Sequence, residues 1–193
     1  MLFPSVKSSL KFLIIFTVLL GAAYPFAIYF AGQIFFPDKA NGSLFIQDGK
    51  IKGSYLIAQE FKDDKYFHPR PSAINYNPLP SGASNLSETS ALLLKEYERR
   101  KKIFIQENSL SDPVKLPDEM LFASASGVDP DISKESAYLQ TKRITNARNF
   151  NKLQGRQLLS LIDSVAEPPQ FGVIGNEVVN VLKLNIKLDE MSK

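Results

Sequence analysis

Between Lys11 and Asp38 the chain carries no charged side chain, and the apolar run from Phe12 to Phe36 dominates its hydropathy pattern. A helix needs about 20 apolar residues to cross the hydrocarbon core of a bilayer, so the run predicts a transmembrane helix over residues 12–36. Lys7 and Lys11 lie on its short N-terminal flank. The positive-inside bias then holds residues 1–11 in the cytoplasm and exports residues 37–193 as one extracytoplasmic domain. The competing reading is a cleaved signal peptide with Gly21 and Ala23 at the cleavage site. Signal h-regions run about 7 to 15 residues, whereas this stretch continues through Phe26, Ile28, Phe30, Ile34 and Phe36, which favours retention. Ala23, Ala27 and Ala31 fall at i, i+4 and i+8, a small-residue stripe that lets another transmembrane helix approach closely. Pro25 removes a backbone donor and frees the carbonyl of Gly21, a defect that neighbouring protein groups can satisfy and lipid cannot. The plain alternative is that alanine is common in such helices and one proline needs no partner.

Past the run the pattern changes period. Leu44 to Ile46, then Asp48-Gly49, then Ile51 and Tyr55 to Ile57 predict a β-hairpin, because Asp-Gly tolerates the positive φ angles of a tight turn. From Tyr66 to Ser87 the chain is rich in Pro, Asn, Ser and Gly, which predicts an extended ordered loop of the kind that carries function. Ser87 as cap, Glu88 in the first turn and the face Leu92, Leu93, Tyr97 and Phe104 predict a helix. Pro113 and Pro117 end the next linker, and Leu121 to Ser126 reads as a short strand or turn. Ser133 caps a second helix through Ala137, Gln140, Ile144 and Ala147, and a third runs from Leu153 to Val165 and stops before Pro168 and Pro169. From Val178 to Leu188, Leu182, Leu184, Ile186 and Leu188 alternate with Lys183, Asn185 and Lys187, which predicts a long closing strand with one dry face. The expected fold is α+β: one N-terminal transmembrane helix, then a domain with a small antiparallel sheet and about three helices.

Composition narrows the chemistry. Of 23 Lys and Arg only Lys7 and Lys11 precede the exported part, which leaves 21 cations against 20 acids there. A domain so close to neutral lacks the cationic face that nucleic acid requires. Cysteine is absent and His68 is the one histidine, so disulfides, thiolate metal sites and paired-histidine zinc sites are excluded within the chain. Ser81-Gly82-Ala83-Ser84 and Ser124-Ala125-Ser126-Gly127 with His68 as base invite a nucleophile reading, but no G-x-S-x-G elbow is present and serines and glycines also shape turns. Neither glycine-rich phosphate motif occurs. No catalytic, cofactor or metal residue is therefore assigned.

The ordered run of motifs is specific as a set. Gly21-Ala22-Ala23-Tyr24-Pro25, Ala40-Asn41-Gly42-Ser43-Leu44, Tyr66-Phe67-His68-Pro69-Arg70-Pro71-Ser72-Ala73, Gly82-Ala83-Ser84-Asn85-Leu86, Ala123 to Pro130, Gln140 with Arg143 and Arg148, and Val179 to Asn185 together resemble the C subunit of the Kdp-type, ATP-driven potassium transporter of bacteria. The departures are Ala83 and Pro69, where the family more often has glycine. The resemblance implies an accessory subunit without an active site in the bacterial inner membrane. Its implied partners are a channel-like potassium-binding subunit, a P-type ATPase subunit and a small membrane peptide, with ATP and potassium belonging to the complex. Two mechanisms are compatible with it: capping the outer mouth of the potassium-binding subunit, or acting as a catalytic chaperone that raises the ATP affinity of the pump subunit. By motif match Arg70, Asn85, Asp129, Gln140 and Arg143 are candidate interface residues, against the alternative that such side chains satisfy backbone groups and hold turns. From a different class, an unrelated membrane-tethered binding protein or hydrolase is the competing function.

Overall fold

The computed structural model describes residues 2–111 and 114–191, so Pro113 lies outside the described residues. The chain divides into two compact units, one ending at Leu44 and the other starting at Phe45. The first is dominated by a single helical rod of α1 (Leu2–Val18), a π-helical turn (Leu19–Ala23) and α2 (Tyr24–Phe35). Ser5–Phe35 spans 31 residues and is long and apolar enough to cross a membrane. The π-turn immediately precedes Pro25: the amide of Tyr24 donates to Leu19 five residues back, so the helix meets the donorless proline by widening the turn before it. A short α3 (Pro37–Ala40) follows, tied back by paired side-chain amides of Gln33 and Asn41.

The second unit opens on the expected hairpin, β1 (Leu44–Gln47) and β2 (Lys50–Ser54), with Asp48 and Gly49 both at positive φ. No helix or strand is assigned from Tyr55 to Ser90. Then come α4 (Ala91–Glu107), a 3-10 turn (Asp118–Met120), β3 (Asp131–Ser133), α5 (Lys134–Ala147), α6 (Lys152–Val165), β4 (Val178–Asn180) and α7 (Val181–Met191). The cap of α4 is Ser90, whose hydroxyl accepts from the Leu93 amide, and not Ser87. A turn closed by the Ser90 amide on the Ser87 carbonyl delays the helix by three residues. Ser133 caps α5 as expected, and Asn151 with Gln154 forms a capping box on α6.

The largest correction is the C-terminal segment: only Val178–Asn180 is strand, and Val181–Met191 is helix. The strand expectation rested on alternation, but Val181, Leu184, Asn185 and Leu188 also fall at i, i+3, i+4 and i+7, and all four are buried. Asn180 decides the switch, since its Oδ1 accepts the Lys183 amide and caps α7. β4 pairs antiparallel with the unanticipated β3, Ile132 opposite Val179. The architecture is thus α+β with two two-stranded sheets. Its core lies among α5, α6, α7 and β4, where Ile144, Leu158, Ile162, Val179, Leu184 and Leu188 are fully buried. Burying such side chains contributes about 1.5–3 kcal/mol each.

Candidate functional site

Buried polar chemistry converges on one stretch of chain, Asp63 to Pro71. Phe67 is fully buried and its peptide is read by a side-chain amide: Asn185 Oδ1 accepts the Phe67 amide at 2.8 Å and Asn185 Nδ2 donates to the Phe67 carbonyl at 2.9 Å. Gln140 does the same for His68, at 2.8 and 3.1 Å. The two amides stand in for a partner strand, which explains how the backbone of Phe67 and His68 is satisfied without joining a sheet. Arg143, 5% exposed, closes the cluster. Its guanidinium donates to Asp64 O (2.7 Å), Tyr66 O (2.9 Å), Asn108 Oδ1 (3.1 Å) and Gln140 Oε1 (2.8 Å), and lies 3.3 Å from His68 Nε2. Burial lowers its pKa from the ordinary arginine value, opposed by the nearby charges of Asp64 and Glu107.

On the other flank Arg148 donates to Lys65 O and to Asp189, and its guanidinium lies over the Tyr66 ring, whose hydroxyl also donates to Asp189. Burial first, then the bond to Asp189, raises the Tyr66 pKa. Farther along, Arg70 Nη1 meets Asp129 Oδ2 at 2.7 Å, and Asp129 Oδ1 accepts the Asp131 amide. The two serine-glycine loops meet each other rather than His68: the Gly82 amide donates to Ser126 O, and the Ser124 amide donates to Pro71 O. Asn180 Nδ2 bridges Tyr55 O and Asp131.

Of the five residues singled out by motif, Gln140 with Arg143 and Arg70 with Asp129 thus form two internal pairs. Asn85 stands apart, exposed and at φ +53°. In the apolar helix Ala23 and Ala27 are exposed and Ala31 is half-buried, with Pro25 at the start of α2. Sequence reasoning missed Asn185, placed on the wet parity of a strand, along with Asn180, Asn108 and Asp189. A helical spacing applied to Val181 to Leu188 would have turned Asn185 inward. Two clefts flank the cluster. One of about 300 Å³ is bordered by His68, Tyr76, Arg100 and Glu107, and one of about 460 Å³ lies between the hairpin and α7, bordered by Phe45, Lys52, Tyr66 and Asp189. Tyr76 is pushed up to about 12, mainly by burial and then by the charge of Glu60. Among the described residues no three His, Asp or Glu gather as a metal-binding group.

His68 supplies a pH test of this geometry. Burial, then the charge of Arg143, pushes its imidazole down to about 4 from an ordinary 6.5. The unfolded chain therefore takes up the proton near 6.5 while the folded chain resists it, so stability is complete above 6.5 and is lost as pH falls toward 4. The linkage predicts a folded state about 2 kcal/mol less stable at pH 5 than at pH 7. Denaturant melts of the full chain at the two pH values measure it, and His68→Gln is expected to flatten the difference.

Fold and site define a single-span α+β protein whose buried polar side chains hold its own loops in place. Residues 6–190 match the family model KdpC, described as K+-transporting ATPase, c chain. Proteins named potassium-transporting ATPase KdpC subunit are similar along nearly their whole length. The one from Leptospira interrogans is 42% identical over 190 residues, covering 98% of this chain and 96% of that protein. The one from Mycobacterium bovis is 40% identical over 185 residues (95% and 96%), and the one from Cereibacter sphaeroides 39% over 183 residues (95% and 95%). The chain belongs to the KdpC family. That membership sets aside the unrelated tethered hydrolase or binding protein.

Proposed function

We propose that this chain is the accessory subunit of a high-affinity, ATP-driven potassium uptake complex in the bacterial inner membrane. Residues 12–36 anchor it, residues 1–11 stay in the cytoplasm, and residues 37–193 form an extracytoplasmic domain. That domain stabilises assembly and caps the outer mouth of the potassium-binding subunit. The stripe of Ala23, Ala27 and Ala31 and the turn at Pro25 pack against a helix of a partner, and ATP and potassium are handled by the P-type ATPase and channel-like subunits. The observation that carries this reading is the Ser5–Phe35 span with Lys7 and Lys11 at its short end. With that orientation a hydrocarbon layer about 30 Å thick separates the domain from cytoplasmic ATP, which disfavours the catalytic-chaperone mechanism. The internal bracing of residues 63–71 supports the same reading, because a braced loop offers a partner subunit a rigid surface. Protease added to intact spheroplasts is expected to digest the domain while leaving cytoplasmic proteins whole. Full protection there would overturn the capping role and restore the ATP-affinity role.

A further inference from the structure

The turn between α6 and β4 presents apolar side chains that the fold does not use. Phe171, Val173 and Ile174 are 91%, 81% and 59% exposed. The turn is nevertheless built. Glu167 and Val178 exchange backbone hydrogen bonds at its base (2.8 and 3.0 Å), and Gln170 and Ile174 exchange a second pair nearer the tip (2.8 and 2.9 Å). Phe171 sits at φ +54° and Gly172 at +75°. A left-handed phenylalanine is a strained choice, and glycine there would remove the strain. No Lys or Arg occurs from Ala166 to Asn176. The acids at the base are occupied, Glu167 by Lys183 at 3.0 Å and Glu177 by Lys134 at 3.4 Å.

Charge decides between two classes of surface. Apolar tips that enter a lipid interface are flanked by cations free to meet headgroups, and here the flanking lysines are tied to carboxylates. An aromatic anchor with two aliphatic neighbours and no charge is instead the make-up of a protein hot spot. We propose that the tip at residues 170–174 inserts into an uncharged apolar pocket on another subunit of the transporter. The proposal rests on the reading that this chain assembles with such subunits.

The chain has no cysteine, so Val173→Cys gives it a single thiol and leaves the Phe171 ring in place. Labelling with a water-soluble maleimide is read on this chain alone, first with the full chain in lipid nanodiscs and then in the detergent-purified complex. The proposal expects rapid labelling of the chain by itself and a severalfold slower reaction in the complex. Equal, rapid labelling in both overturns it, and protection already in nanodiscs overturns it in favour of lipid insertion. Phe171→Gly adds an independent arm. Loss of the ring without loss of fold is expected to leave the thermal midpoint of the chain no lower and to weaken capture of partner subunits about thirty-fold, as for a hot-spot residue. Capture unchanged from the wild type overturns the proposal. Failure of the wild-type chain to copurify with any ATPase subunit would instead bring down the assembly reading on which it rests.

Discussion

Arg143→Met is expected to lower the stability of the domain by about 3–5 kcal/mol, the range seen when one partner of a buried, charge-assisted cluster is removed. Met keeps much of the stem volume and deletes only the guanidinium. Four acceptors then lose a charged donor: the carbonyls of Asp64 and Tyr66, Asn108 Oδ1 and Gln140 Oε1. Each charge-assisted hydrogen bond contributes about 1.5–3 kcal/mol, and the total is reduced because Gln140 keeps its bond from the His68 amide and the loop at Asp64 can admit water. At about 2–4 °C per kcal/mol, the thermal midpoint of the full chain should fall by roughly 10 °C. Arg143→Lys should recover only part, since one ammonium cannot serve acceptors spread around a planar fork. Circular dichroism melts of the full-length chain in detergent measure both. A midpoint unchanged in Arg143→Met would mean that Gln140, Arg148 and Asn185 hold the segment at residues 63–68 without it.

That cluster also marks where sequence reasoning succeeds and where it stops. Helix ends announced by local chemistry were legible: Ser133 ahead of α5, and the stop of α6 at Val165 before Pro168 and Pro169. The hairpin was legible because Asp48-Gly49 admits few conformations. The C-terminal segment was not, since Val181 to Leu188 fits both a period of two and a period of 3.6, and the cap at Asn180 and the inward partner of Asn185 are what separate them. β3 was missed because a strand of three residues carries no period at all. Gln140 and Arg143 could be picked out by motif, but the backbone groups they hold lie more than 70 residues away, which no local pattern encodes. The serine-glycine loops show the same limit: their composition announces turns, while their use, packing against each other, depends on a contact between distant parts of the chain.

Gly127→Ala tests that contact and separates two costs that glycine substitutions usually mix. Gly127 lies at φ +70°, and a Cβ there would stand 2.5 Å from Ile74 Cγ1 and 2.7 Å from the carbonyl oxygen of Gly82. Ile74 has a side chain that can swing aside. The Gly82 carbonyl is backbone, and its peptide neighbour is fixed by the 3.1 Å bond from the Gly82 amide to Ser126 O, so relief requires the two loops to part. Gly49 provides the control, because it has nearly the same φ, +69°, with no atom within 4 Å of the place a methyl would take. Gly49→Ala should therefore cost only the left-handed strain, about 1 kcal/mol. Gly127→Ala adds overpacking against backbone and should cost about 3–4 kcal/mol in all. Paired thermal melts give the difference directly, and Ile74→Ala in the Gly127→Ala background should recover only the side-chain share of it. Equal losses at the two glycines would show that the loops at residues 81–84 and 124–127 separate freely, and that the bond from the Gly82 amide to Ser126 O adds no stability.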